Sequence, residues 1–198
     1  NINKIKVLAT DKTGTLTEGK FKLNDVQYFN DFDTNEALVI AKELEKGSNH
    51  PIAKAVMEYA EEQTQGVTKD LGDIENVGGK GIRSKDYILG SLTFMRDFGL
   101  FEGAHFEDNA NSVYLAQVGQ VNREIARFEV EDTIKDNAFD LVNQLHQRGI
   151  DEVVMLTGDN KKTAEKVASE LKLDGFFSNL LPQDKLAWVQ EKKDVAFI

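Results

Sequence analysis

The chain has 198 residues, 40% apolar and 29% charged, and its 34 acidic and 24 basic side chains give a formal charge of −10. That length can bury one large core or two small ones, and the acidic balance argues against a nucleic acid or an anionic membrane surface as partner. With no cysteine, disulfides and thiolate metal sites are excluded.

No signal-peptide pattern is visible at Asn1-Ile2-Asn3-Lys4. The longest unbroken apolar stretch, Ala37-Leu38-Val39-Ile40-Ala41, is far short of a membrane span, so a soluble piece is expected. Residues 5–10, with Ile5, Val7, Leu8 and Ala9, read as a short buried strand running into Asp11. Asp33 and Glu36 have capping-box spacing before a helix with Leu38, Ala41 and Leu44 on one face, and Gly47 is expected to end it. Pro51 suits the first turn of a second helix with Ile52, Val56 and Ala60 in register. Residues 74–90 read as strands around the turn Gly78-Gly79-Lys80-Gly81, and residues 112–131 as a hairpin turning near Gly119-Gln120.

The pattern then changes. A helix is expected over 136–148, with Phe139, Leu141, Val142 and Leu145 as its apolar positions and Gly149 as its stop. A strand follows at 152–156, then Thr157-Gly158-Asp159, a helix over 160–171 and a short strand at Phe176-Phe177. Pro182 opens a helix through Lys192, and residues 194–198 read as a last strand. Strands alternating with helices imply βαβ units and a parallel sheet. The expected fold is therefore α/β, a Rossmann-like domain from residues 1–22 and 131–198. Inserted after its first strand and loop is an α+β domain, residues 23–130.

Three short pieces carry the chemistry. Asp11-Lys12-Thr13-Gly14-Thr15 and Thr157-Gly158-Asp159 each follow a predicted parallel strand, and Lys185 opens a helix of the same domain. Open α/β sheets bind ligands at the carboxyl ends of their strands. A carboxylate nucleophile, a hydroxyl to hold a phosphoryl oxygen and a lysine to neutralise charge make a phosphoryl-transfer site. A lone aspartate after a strand is more often a turn residue; the three pieces in this order say more.

Asp11-Lys12-Thr13-Gly14-Thr15-Leu16-Thr17 resembles the phosphorylation motif of P-type ATPases, a branch of the haloacid-dehalogenase-like superfamily. Thr157-Gly158-Asp159-Asn160 is similar to that family's second motif, and Pro182-Gln183-Asp184-Lys185 to its lysine motif. The resemblance implies that Asp11 attacks the γ-phosphate of ATP to form an aspartyl-phosphate. It also implies that Mg²⁺ is held partly by Asp11 and the Thr13 carbonyl, and that Thr157 and Lys185 contact the phosphoryl group, with Lys12, Gly158 and Asp159 completing the catalytic set. Hydrolytic relatives carry a second aspartate two positions after the nucleophile, as general acid and base. Thr13 stands there instead, and loss of such help typically slows a step by ~10²–10⁴-fold. A phosphoenzyme that persists suits a transport cycle.

In the inserted domain, Ser48-Asn49-His50-Pro51 and Gly79-Lys80-Gly81 together resemble the nucleotide-binding domain of heavy-metal P-type ATPases. There a His-Pro pair and a Gly-x-Gly turn receive the adenosine part of ATP. The resemblance makes His50, Pro51, Gly79 and Gly81 cofactor-binding residues. His105 and His146 read as surface residues and Trp188 as packing. Glu18-Gly19-Lys20-Phe21, Ser48-Asn49-His50-Pro51 and Leu180-Leu181-Pro182 look most like copper exporters, whereas Leu89-Gly90-Ser91 and residues 151–156 are similar to zinc/cadmium-type pumps; copper is the expected cargo. In the family, the strand matched by residues 194–198 runs into a Gly-Asp-Gly-x-x-Asn-Asp motif. The resemblance therefore implies a cytoplasmic piece cut from a membrane pump, with transmembrane and actuator domains and a heavy-metal ion as its partners. The competing expectations are a zinc, cadmium or cobalt pump, or a soluble phosphatase of the superfamily.

Overall fold

The computed structural model describes residues 5–103, 111–192 and 194–198; the expectations for Asn1–Lys4 and His105 lie outside the described residues. In chain order the elements are β1 (Val7–Asp11), β2 (Thr17–Tyr28), α1 (Thr34–Glu45), α2 (Pro51–Thr64), β3 (Glu75–Val77), β4 (Gly81–Arg83), β5 (Tyr87–Gly90) and α3 (Leu92–Arg96). They continue with β6 (Ser112–Gln117), β7 (Arg123–Ile134), α4 (Leu141–Gln147), β8 (Glu152–Leu156), α5 (Lys161–Glu170), β9 (Gly175–Phe177), α6 (Pro182–Glu191) and β10 (Val195–Phe197). The chain divides into two compact units, residues 1–20 with 132–198, and residues 21–131.

The first unit is built on a four-stranded sheet in the order β10-β1-β8-β9, with every pairing parallel. Its strands are apolar on both faces, as a sheet covered by helices requires. Leu8, Val153 and Met155 point to one side, where Val142 of α4 and Ala164 and Ala168 of α5 pack. Ala9, Val154 and Leu156 point to the other, against Leu180, Trp188 and Val189. Trp188 is thus a packing residue as expected, with its ring 5.5 Å from that of Phe177. The helix expected over 136–148 is instead a short 3-10 turn, Asp136–Asp140, followed by α4. Phe139, expected in its apolar stripe, is 54% exposed, because the tighter winding of the turn takes it off that stripe. Gly149 does stop the helix, in the left-handed region at φ +93°.

The second unit is a six-stranded sheet in the order β2-β7-β6-β5-β4-β3, antiparallel from β3 through β7. Helices α1 and α2 cover one face through Ile40, Leu44, Val56 and Ala60 against Leu115 and Phe128. Helix α3, absent from the sequence expectations, covers the other with Phe94 and Met95 against Ile88 and Tyr114. Asp33 caps α1 by accepting the Glu36 N–H, as its spacing predicts. Helix α1 is buried well beyond one stripe, including Lys42, Glu43 and Glu45. Lys42 is kept soluble in that setting by three acceptors, Glu61, Thr64 and the Val67 carbonyl.

Candidate active site

Strand register brings the first two motifs together. Asp11 pairs with Leu156 across β1 and β8, so Asp11 and Thr157 leave the sheet at the same carboxyl edge. Phe177 at the end of β9 shares that level through Leu156, and its carbonyl accepts the Thr157 N–H at 3.0 Å. From the first turn of α6, Lys185 reaches this edge and places Nζ 2.8 Å from Asp11 Oδ1, joining residues 174 positions apart. Asp11 Oδ2 takes no hydrogen bond among the described residues. One oxygen of the carboxylate is therefore held by a cation and the other is unpaired among the described residues.

Lys12 and Asp159 form a second pair. Lys12 Nζ lies 2.8 Å from Asp159 Oδ2, out of line for a hydrogen bond, with the two side chains only 4% and 13% exposed. Lys12 is thus spent on tying the first loop to the second rather than pointing at the edge. Thr157 is buried, and its Oγ1 accepts the Asp159 N–H at 3.1 Å. That contact occupies a lone pair and leaves the hydroxyl proton to be donated. Gly158 is close-packed, since a Cβ there would come within 3.2 Å of the Leu180 carbonyl. Thr13 is exposed on the loop, just before Gly14 turns the chain at φ +79°.

The sequence reading missed what holds this loop in shape. Thr17, fully buried, accepts the Gly14 N–H at 3.2 Å and donates to Asp132 Oδ2 at 2.6 Å. Lys135 adds its N–H to the Leu16 carbonyl and its Nζ to the Gly14 carbonyl. The signal was present as Asp132-Thr133-Ile134-Lys135, but only tertiary pairing shows which loop this segment serves.

In the second unit, His50 is the N-cap of α2: its Nδ1 accepts the Ile52 N–H at 3.2 Å, while Pro51 fills the first helical position, where no N–H is needed. His50 is exposed, with Nε2 left for other partners. The two glycines differ. A Cβ on Gly81 would sit 2.2 Å from the Leu89 carbonyl, so its bareness is used by the neighbouring strand. Gly79, at φ +74°, has nothing within 4 Å and is open to a ligand. Glu45, five positions before His50 and unremarked in the sequence, is buried with Oε2 unpartnered. Burial pushes its carboxyl up from 4.5 to about 7. The sequence signal for it was a glutamate on the buried side of a predicted helix. His146 lies at the surface as expected, bonded to Asp174 at 2.7 Å.

The structure is a parallel α/β sheet with a lysine-paired aspartate at the carboxyl end of its first strand. The chain belongs to the haloacid dehalogenase-like hydrolase family, whose profile matches residues 5–196. Among proteins it is similar to are a copper-exporting P-type ATPase of Staphylococcus saprophyticus, 36% identical over 95% of this chain, and copper-exporting P-type ATPase B of Archaeoglobus fulgidus, 34% identical over 94%. The chain spans 24% and 27% of those two proteins. A solved catalytic domain of the CPx-ATPase CopB-B, studied for conformational changes upon nucleotide binding, superposes with a TM-score of 0.75 at 27% identity, covering 99% of this chain and 73% of that one. A zinc-transporting PIB-type ATPase shares the fold, with a TM-score of 0.67 at 24% identity, over 99% of this chain and 34% of its own. Among the described residues no helix is long and apolar enough to cross a membrane.

Proposed function

We propose that this chain is the cytoplasmic ATP-using unit of a heavy-metal-transporting P-type ATPase, with copper as the exported ion. In this reading residues 21–131 bind ATP through His50, Pro51, Gly79 and Gly81, and residues 1–20 with 132–198 accept its γ-phosphoryl group on Asp11. The observation that carries the reading is the Asp11–Lys185 pair at the carboxyl edge of β1 with a threonine, not a carboxylate, at position 13. The names of the similar proteins support copper.

In this reading the chemistry is phosphoryl transfer to a carboxylate. Asp11 attacks the γ-phosphorus in line, the bond to the β–γ bridging oxygen breaks, and ADP departs with that electron pair. Lys185 offsets charge at the carboxylate, and the free Thr157 hydroxyl proton is positioned for a phosphoryl oxygen. The Lys12–Asp159 pair keeps both loops in place. Among the described residues no cluster of three metal-binding side chains exists. One free carboxylate oxygen of Asp11 and the Thr13 carbonyl nevertheless suit Mg²⁺, which takes one or two carboxylates plus water and phosphate oxygens. Bound there, Mg²⁺ would supply charge neutralisation on the attacking and transferred oxygens. Thr13 offers no general base for the next step, so the aspartyl-phosphate turns over slowly. At the other site, the exposed Nε2 of His50 supplies a polar group for a purine.

The test is transfer of label from γ-labelled ATP to the chain within its full-length protein. Acid-stable, hydroxylamine-sensitive label is expected on the wild type and none on Asp11→Asn; label surviving that change overturns the mechanism. Turnover stimulated by Cu⁺ and not by Zn²⁺ is the expected cargo result, and the reverse would reassign it. Rapid hydrolysis of p-nitrophenyl phosphate by the chain alone would favour a phosphatase instead.

A further inference from the structure

Lys80 is the one lysine or arginine within Ser48–Pro51 and Gly79–Gly81. Its backbone is fixed in the turn: its N–H donates to the Val77 carbonyl at 2.9 Å and its carbonyl accepts the Ser91 N–H at 3.0 Å. Its side chain is bonded to Asp97 Oδ2 at the end of α3, and both side chains are 44% exposed. Beside it, Gly79 presents open backbone. Of the other cations in this unit, Lys42 is buried against three acceptors, Lys46, Lys54 and Lys69 lie against Glu43, Glu58 and Glu36, and the Arg83 guanidinium lies 5.7 Å from the Phe98 ring centroid.

We propose that Lys80 is the cation that meets the phosphate chain of the nucleotide, and that Asp97 is its internal competitor, holding the ammonium until a stronger anion arrives. The inference rests on reading residues 21–131 as the nucleotide-binding unit. In this proposal a nucleotide laid across the open backbone of Gly79 directs its phosphates past the side chain of the next residue, Lys80. An exposed lysine–carboxylate pair is weak in water, so the exchange of one carboxylate for a polyanionic phosphate chain is inexpensive. Phosphate oxygens carry more charge and more acceptors than Asp97, and charge-assisted contacts to them are the stronger kind. The pair therefore sets affinity: Asp97 keeps nucleotide binding weak and reversible, and Lys80 discriminates a nucleotide from its nucleoside. Lysine gives charge without fixed geometry, so ADP and ATP should both engage it.

The experiment is titration of the full 198-residue chain with ATP and with adenosine, read by calorimetry and by amide chemical shifts. Lys80→Gln should weaken ATP about tenfold, the size of one charge-assisted hydrogen bond, and leave adenosine within about twofold. Asp97→Asn should tighten ATP about threefold by removing the competitor, with adenosine unchanged, and most of that gain should vanish when Lys80→Gln is also present. Lys80→Arg should retain the preference for ATP. ATP affinity unmoved by Lys80→Gln, an equal loss for ATP and adenosine, or an Asp97→Asn gain undiminished without Lys80 would each overturn the proposal. If adenosine still shifts the amides of His50 and Gly79 in such a case, the nucleotide-site reading stands and only the role of Lys80 falls. If adenosine and ATP leave those amides untouched in the wild type, the site reading itself fails and takes the proposal with it.

Discussion

Residues 21–131 carry 11 basic and 20 acidic side chains, a net charge of −9, whereas the rest of the chain carries 13 and 14 and is almost neutral at −1. The contrast extends to how each unit is held together. The larger unit relies on apolar packing between α1, α2 and its sheet, with Phe128, Ile40 and Leu44 fully buried. The smaller unit gathers charges at the carboxyl edge of its sheet: Lys12 with Asp159, Lys185 with Asp11, Asp132 with Thr17. On the proposed function, a unit that only has to hold a nucleotide can be a conventional core with polar groups on one rim. On the same proposal, a unit that holds a carboxylate for reaction needs fixed charge around it, and buried charge must be paired.

If the two units stabilise themselves separately, damage to one should stay there. Phe128→Ala should destabilise residues 21–131 by about 4 kcal/mol, the range for emptying a buried phenyl site. Amide exchange should quicken across α1, α2 and β5–β7 and remain unchanged in β1 and β8. Equal acceleration in both units would erase the distinction. The converse change is Lys12→Met, which leaves Asp159 buried without its counter-charge and should cost about 3 kcal/mol. Here exchange should quicken in β1, β8 and α5 alone. A variant as stable as the wild type would mean that the pair is solvated and holds nothing.

A pH series sharpens the contrast from the other side. Burial raises the Glu45 carboxyl from 4.5 to about 7, so the folded form holds its proton more tightly than the unfolded chain. Stability from this group is then complete below about pH 4.5 and declines as pH rises to about 7. The loss should be about 2 to 3 kcal/mol and confined to residues 21–131. Glu45→Gln should flatten that slope. An unfolding profile of the second unit that is level between pH 5 and 7.5 in the wild type would show that Glu45 is solvated.

The parallel sheet was legible because its strands are continuous apolar runs ending in Asp11 and in Thr157, with glycine and proline marking the helix ends. Strand β2 was not, because exposed Glu18, Lys20 and Lys22 alternate with only half-buried Phe21 and Leu23, and Asn24-Asp25 breaks that alternation before Val26 and Tyr28. Helix α3 is only five residues long, too short to show a helical period. At the site, Asp11, Thr157 and Lys185 were readable as residue types in order. The division of labour among charges was not: that Lys12 is buried against Asp159 while Lys185 reaches Asp11 depends on register between strands far apart in sequence. Glu45 escaped notice because a glutamate in a helix is ordinarily solvent-facing, although its spacing from Leu38 and Ala41 puts it on the apolar face.

The smallest expected effect tests the charge contrast itself. ATP approaching a unit of net charge −9 meets a diffuse repulsion that salt screens; the Debye length shrinks from about 30 Å at 0.01 M to about 8 Å at 0.15 M. A contact at hydrogen-bond distance, such as that proposed for Lys80, is much shorter than either length and is screened far less. Raising salt across that range should therefore strengthen ATP binding about two- to threefold. Neutral adenosine should be indifferent, which separates the field from any change in the site. An inorganic phosphate mimic at the Asp11 loop, in the nearly neutral unit, should respond little to the same series. ATP binding that instead weakens about tenfold with salt would mean that clustered cations dominate the approach, as they do where proteins bind nucleic-acid phosphates. The acidity of residues 21–131 would then be irrelevant to how the nucleotide arrives.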